Sequence, residues 1–527
     1  MKSSPSPDGA LLYAEPPGRN RPVRAILFAA WFALALFLVL RHVFWRDEIR
    51  ALSIALAGDN VFAMLRILHG EGHPALWYLM LRGAHMLVPV KQVLPAVGFA
   101  VAAASAAILA FRAPFRPLVL VLALFSAFML HEYAVLARNY GIAMLAMFVL
   151  VLLYPKRRDR GIGIGLVLAL LCNTNVPAAL LAACFLLFWL VELVAEEGLR
   201  WGPKYTWFAI NALLAAAGAL LCFVTVFPTV HDAMPIDLSG RLGVVSLIKD
   251  VLSPAGSFTD CLPKAMRGNG LGMALLDIAL WGSVLGLLRR PAALLSAAAA
   301  LVGFELFFQL IYPGYYRHQG LFVIFLLILH WLAAEGHGGR WRDAWAEGAA
   351  ARRIAGFGQA MLLLLLFFQV VNAAGKVAAD LNGVPQGRSR DLAELLKRDR
   401  LTDAVLIADP DMFLEALPYY APNPIYFMRE QRFGHVVRFT KSVRTELSLD
   451  DYLNDARALR ARTGRPVVIV LRQRIDPSSP AFRVHEVNIW NFSGTREQIG
   501  RFLAATQRLV RFAPAVSDES YDVYLLK

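Results

Sequence analysis

Residues 25–48 read AILFAAWFALALFLVLRHVFWRDE, and this stretch decides the fold. A helix rises ~1.5 Å per residue, so ~20 apolar residues cross the ~30 Å hydrocarbon core of a bilayer. Residues 25–43 meet that length, with Arg19, Arg21 and Arg24 ahead of them and no small-residue cleavage site after them. They read as a membrane anchor rather than a removed signal peptide. The run ends at Trp45-Arg46-Asp47-Glu48, an aromatic residue suited to a membrane interface followed by charge.

Ten further apolar runs follow, at 93–111, 117–132, 139–154, 161–174, 177–194, 206–228, 271–288, 291–312, 319–334 and 354–374. With the first they imply an α-helical integral membrane protein of about eleven transmembrane helices. Composition agrees: 58% of the 527 residues are hydrophobic, 17% are charged and the mean hydropathy is +0.52. Soluble domains run near ~45–50% and ~25%. These values exclude a soluble enzyme, a disordered chain and a small disulfide scaffold. The net charge of +14 is spread in short clusters between apolar runs, so it reads as topology rather than as a nucleic-acid surface. Cys172, Cys184 and Cys222 lie in or beside apolar runs and Cys261 reads as water-facing, which gives no disulfide framework.

Residues 74–88 (PALWYLMLRGAHMLV) are apolar but short, and they carry Arg82 and His85. Read as a helix lying at the interface, they leave every basic cluster on one side: 19–24, 112–116, 156–160, 200–204, 289–290 and 340–353. Positive charge in short loops marks the cytoplasmic side. The 24-residue N-terminal tail is then cytoplasmic, residues 25–374 form the transmembrane domain, and residues 44–92 are a long first outer loop. In that loop Ile49, Leu52, Ser53 and Leu56, and then Phe62, Leu65 and Leu68, fall at helical spacing, and Pro74 opens a third helix. From about Gly375 the composition changes. Residues 375–527 read as a soluble α/β domain, with strands at 404–408, 436–440, 466–471 and 521–526 and helices near 388–398, 449–463 and 495–508. Walker A, Rossmann, HExxH and CxxC motifs are absent from the sequence.

Two adjacent carboxylates, Asp47 and Glu48, at a bilayer surface suit general-base work or metal binding, because low-dielectric surroundings raise their pKa. Later in the same loop comes Gly72-His73-Pro74-Ala75-Leu76-Trp77-Tyr78. Together these resemble the first outer loop of GT-C-fold glycosyltransferases. The nearest groups are the bacterial polyprenyl-phosphate-sugar-dependent transferases related to protein O-mannosyltransferases (family 39-like). Those proteins carry an Asp-Glu pair and then a His-Pro-Pro-Leu-Tyr-Tyr-like segment, whose second Pro is Ala75 here. They also carry an Arg-x-Tyr motif at the outer end of the third span, with an acidic residue before it. Here that is Glu132 followed by Arg138-Asn139-Tyr140, which the span count places on the same face as Asp47. The resemblance covers the N-terminal third and the plan of many spans plus an outer domain.

The resemblance implies a GT-C-like fold and transfer of a sugar from a polyprenyl-phosphate donor to an acceptor hydroxyl at the outer membrane face. The acceptor is an envelope glycan, a lipid or a protein, membrane lipids surround the chain, and no nucleic acid is involved. Asp47 becomes the candidate base. Glu48 and His73 orient the acceptor or bind a divalent cation, with no other cofactor required. Arg138 holds the lipid phosphate, and a single displacement inverts the anomeric carbon. Arg317 and His318, in Tyr312-Pro313-Gly314-Tyr315-Tyr316-Arg317-His318, either join in holding the phosphate or anchor the interface. Asp277 and Glu305 inside apolar runs read as buried polar contacts, Asp409-Pro410-Asp411 as a turn, and His435 and His485 as structural or exposed. The Ala- and Arg-rich composition points to a bacterial inner membrane with the C-terminal domain in the periplasm. A transporter or flippase of lipid-linked glycan and a non-catalytic envelope-assembly protein are the alternatives.

Overall fold

The computed structural model describes residues 11–13, 20–69, 71–156, 161–227, 243–339, 348–486 and 489–527. Apolar helices fall on all eleven runs. The first is α1 (Arg21–Arg41), with Pro22 in its opening turn. Three amphipathic helices follow: α2 (Arg46–Ala55), α3 (Val61–Leu68), capped by Asn60, and α4 (Leu76–Leu87). Then come α5 (Val93–Arg112), α6 (Pro117–Leu124), α7 (Tyr140–Leu153), α8 (Gly163–Cys172), α9 (Val176–Glu197) and α10 (Pro203–Val226). A short amphipathic helix, α11 (Val244–Leu252), precedes α12 (Gly270–Leu285), α13 (Pro291–Leu310), α14 (Tyr316–Ala334) and α15 (Ala349–Leu381). Among the described residues seven helices are long and apolar enough to cross a membrane: α1, α5, α9, α10, α13, α14 and α15. Helices α7, α8 and α12 are shorter apolar helices.

Several expectations are corrected. The run at 117–132 is not one helix: α6 stops at Leu124, a π-turn covers Phe128–Glu132, and the chain then runs irregularly to Asn139. Ser126 initiates the break, with its hydroxyl donating to the Ala123 carbonyl (2.6 Å) and accepting from the Met129 amide (3.3 Å). Residues 133–139 are all buried, and irregular backbone among apolar helices is tolerated only where protein or a cavity surrounds it. Cys261 is fully buried, because the short 3-10 turns around it pack between α14 and α15. The third loop helix starts at Leu76, not at Pro74, and its twelve residues span only ~18 Å. Arg82 of α4 caps the end of α2, donating to the carbonyls of Ala55 (3.0 Å), Ala57 (3.0 Å) and Gly58 (3.1 Å). Helix α15 runs past the anticipated boundary at 375 to Leu381, and Gly383, at φ +72°, ends it.

Described basic residues tie the chain together at helix ends. Arg24 donates to the carbonyls of Ala110, Ala113 and Phe115 at 2.7–2.9 Å, and Arg116 holds the Tyr13 carbonyl at 2.8 Å. Arg290 reaches the Gly336 carbonyl at 3.1 Å. The remainder of the tail cluster at 19, the cluster at 156–160 beyond its first residue, and 340–347 of the last cluster lie outside the described residues.

The C-terminal domain follows α16 (Ser389–Arg398). Its main sheet has the order β1-β5-β9-β8, with β1 (Val405–Asp409) parallel to β5 (Val467–Leu471) and the other pairs antiparallel. The sheet is buried on both faces. Leu406, Ala408, Val468 and Val470 face the α16 side, while Val405, Ile407, Val467 and Ile469 face α17 (Leu449–Thr463) and α18 (Arg496–Ala505). The elements β8 (Thr506–Phe512) and β9 (Tyr521–Leu526) close one edge. A hairpin of β2 (Tyr426–Phe427) and β3 (Arg432–Phe433) and a second sheet of β4 (Glu446–Ser448), β6 (Ala481–His485) and β7 (Asn491–Thr495) were not anticipated. Residues 436–440, read as a strand, instead form a loop over α2, held by the Arg50 bond to the Val437 carbonyl (2.9 Å).

Candidate functional site

The turn from α1 into α2 decides which of the two adjacent carboxylates can act. Glu48 is the third residue of α2 and folds back to accept from the Trp45 amide (3.0 Å), closing a capping box. It also accepts from the Ala137 amide (2.8 Å) and bonds His42 Nε2 (2.9 Å), and it is fully buried. Glu48 therefore ties α1, α2 and the broken segment at 133–139 together, and it presents no oxygen to a ligand. Asp47, one residue earlier and turned by one helical step, is 30% exposed at its side chain.

Asp47 meets Arg138 at 2.7 Å. Arg138 in turn lies 3.4 Å from His73 Nε2, and His73 Nδ1 lies 3.4 Å from the Glu71 carbonyl, an arrangement that assigns the proton to Nδ1. The Arg317 guanidinium sits 4.9 Å from the Trp45 ring centre, and its backbone carbonyl accepts from Tyr133 (2.7 Å). These segments, distant in sequence, line one cavity of about 1630 Å³, together with Tyr78, Glu132, Tyr312 and Tyr315.

The other residues singled out from sequence have different surroundings. Glu132 borders the cavity but is paired with Lys376 of α15 at 2.8 Å. Tyr140 and His318 are buried and bonded to each other (2.9 Å), while the Tyr315 amide donates to His318 Nδ1 (3.1 Å). They brace the Arg138 and Arg317 segments rather than reaching the cavity. Asp277 and Glu305 bind the 253–257 turn: Asp277 takes the Ser253 hydroxyl (2.6 Å) and Glu305 the Ser257 hydroxyl (2.9 Å). Asp411 accepts from the Met428 and Arg429 amides, and Asp409 pairs with Arg429 at 2.8 Å with neither side chain exposed. His435 is exposed at the cavity wall, and His485 is exposed and bonded to Asn491.

Sequence reasoning missed the C-terminal wall. Arg46 is bound to Asp518 and to buried Glu519. Arg50 is bound to Glu71 through two nitrogens (2.9 and 2.5 Å) and to Glu415. Both arginines flank Asp47 on α2, and their charge on an otherwise buried helix was the available signal. Glu71 lies 21 residues on in the same loop, but Glu415, Asp518 and Glu519 lie hundreds of residues away, so no local pattern reveals that wall.

Charge around the site departs from expectation. Burial alone would raise the Asp47 carboxyl, but the guanidiniums of Arg138, Arg46 and Arg317 outweigh it and hold the group well below the ordinary carboxylate range. His73 is pushed down to about 4, first by burial and then by Arg138, so it is neutral near pH 7. The donor set does not fit a divalent cation. Of Asp47, Glu48 and His73, Glu48 is turned away, His73 Nε2 faces Arg138, and two further guanidiniums adjoin Asp47. Among the described residues no group of three or more His, Cys, Asp or Glu side chains is arranged to hold a metal.

No family model matches the chain. No curated protein matches it either. Among solved structures it is similar to a crystal structure of ArnT from Cupriavidus metallidurans in the apo state, at 13% identity and a TM-score of 0.45, over 95% of this chain and 97% of that one.

Proposed function

We propose that the chain is a membrane glycosyltransferase of GT-C type, moving a sugar from a polyprenyl-phosphate donor to a hydroxyl of an envelope glycan, lipid or protein. The supporting observation is the meeting of Asp47, His73, Arg138 and Arg317 on one cavity. In this reading the N-terminus is cytoplasmic and the cavity and C-terminal domain face the periplasm of a bacterial inner membrane.

The acceptor oxygen attacks the anomeric carbon while its proton passes to Asp47. The bond from that carbon to the phosphate oxygen breaks, and the polyprenyl phosphate leaves with the electron pair into Arg138 and Arg317. One displacement inverts the anomeric centre. Asp47 is a weak base while three guanidiniums face it alone. An arriving phosphate shares their charge, so donor binding itself raises the basicity of Asp47. Neutral His73 orients Arg138 by accepting from it.

The test is transfer from a polyprenyl-phosphate-linked sugar by the purified protein in nanodiscs. The lipid-linked sugars that accumulate in a deletion strain identify which donor to supply. Asp47→Asn is expected to lose ~10²–10⁴-fold in turnover with an unchanged Tm. Near-normal turnover in the folded variant would remove Asp47 as the base.

A further inference from the structure

Three guanidiniums surround the indole of Trp45, from three parts of the chain: Arg317 at 4.9 Å, Arg46 at 5.1 Å and Arg138 at 5.9 Å from the ring centre. They are held in different ways. Arg46 is bound to Asp518 and Glu519, and Arg138 to Asp47. Arg317 has no ion pair and no side-chain hydrogen bond among the described residues; its guanidinium lies over the rings of Trp45 and, at 6.0 Å, Tyr315, with the Asp47 and Glu132 carboxylates close enough to feel its charge. Its side chain nevertheless lines the cavity.

The manner of holding has a chemical consequence. A carboxylate partner occupies the N–H fork of an arginine, and an incoming anion must displace it. An aromatic face attracts the same cation through its quadrupole and leaves the N–H donors free. The Trp45 backbone is firmly placed, because its amide donates to buried Glu48 and it caps α2 two residues before Asp47. The ring therefore links the position of the base to the position of the unpaired cation.

We propose that Trp45 is a positioning residue, a platform that holds Arg317 beside Arg138 with its donors unspent, so that the two guanidiniums form one seat for the leaving phosphate. This rests on the glycosyltransferase reading above and adds to it a cavity-lining residue that acts through Arg317.

The probe is farnesyl phosphate binding to the full-length protein in nanodiscs, with farnesol as the phosphate-free control. Trp45→Leu is expected to weaken farnesyl phosphate by about three- to thirtyfold and to leave farnesol unchanged, which a general packing defect would not do. Trp45→Phe, keeping a ring, is expected to lose less. Because the platform acts through Arg317, the Trp45→Leu/Arg317→Ala double variant is expected to bind no more weakly than Arg317→Ala alone. In the transfer assay the loss falls on the donor KM more than on kcat. Native-like farnesyl phosphate binding by Trp45→Leu, equal loss of farnesol, or multiplying losses in the double variant would each overturn the platform. If melting shows Trp45→Leu to be unfolded, Trp45→Phe alone and combined with Arg317→Ala carries the same comparison. If Arg138→Ala and Arg317→Ala also bind farnesyl phosphate normally, the phosphate site itself falls. If those two lose binding while the Trp45 variants keep it, only the platform falls.

Discussion

Asp47 meets Arg138 at 2.7 Å beside the cavity, and Asp409 meets Arg429 at 2.8 Å inside the C-terminal domain. The two pairs have the same chemistry and nearly the same length, yet their surroundings are opposed. Asp409 is sealed: neither partner is exposed, Tyr452 adds a hydrogen bond (3.0 Å), and Arg429 also binds the backbone of the neighbouring strands. Burial pushes Asp409 up to about 6 despite its arginine. Asp47 opens on a cavity, has three cations around it, and is pulled the other way. An ion pair buried on both sides inside a core organises a fold. One with an open carboxylate edge and surplus cations is arranged to meet a third charge.

That contrast can be broken at either pair. The largest effect is expected from Asp47→Asn: turnover falls ~10²–10⁴-fold while the melting temperature holds, as measured by paired transfer and unfolding assays. Arg429→Met should do the converse. Removing one member of a sealed pair costs ~3–5 kcal/mol, so unfolding of the C-terminal domain shifts markedly in denaturant. If Arg429→Met melts like the native protein, the sealed pair is not the organising element described here.

Glu48→Gln sharpens the comparison within one turn of helix. Glu48 accepts from two amides and bonds His42, and a side-chain amide would set an N–H against one of those partners. A loss of ~1–3 kcal/mol in stability is expected, with activity per folded molecule largely kept. A stable Glu48→Gln protein without activity would restore Glu48 to the chemistry.

The smallest effect is a pH dependence. His73 sits at about 4 when folded against 6.5 for the free side chain, so the folded protein binds fewer protons between those values. The stability contributed by neutral His73 is complete above about pH 6.5 and is lost as the pH falls toward 4. Melting curves across that window should show a shallower acid decline for His73→Gln. An unchanged decline would mean that His73 is exposed to protons rather than enclosed.

How much of this was legible beforehand differs by element. The eleven apolar runs and the α2 and α3 periodicities announce themselves, because hydrophobic length and helical spacing act over a few turns of chain. So do α16, α17 and the buried strands β1, β5 and β9. The break after Leu124 was hidden, since Ser126 is a small polar residue in an apolar run and nothing local says that its hydroxyl replaces a backbone bond. The hairpin at 426–433 and the strands at 481–495 are short and half-exposed, with a weak alternation.

By itself, then, the sequence determined the membrane-spanning architecture, the presence of an α/β domain and the set of polar residues worth testing, because each depends on short-range pattern and composition. Only the tertiary structure decided their roles. It turned Glu48 inward and Asp47 outward, although they are adjacent and chemically alike, because one helical step separates a capped core position from a cavity wall. Among the described residues it left Arg317 without an ion pair, while closing Arg46 with Asp518 and Glu519 and Arg50 with Glu71 and Glu415. Burial and charge balance are sums over everything nearby in space, and neighbours in space are what a linear string leaves unstated.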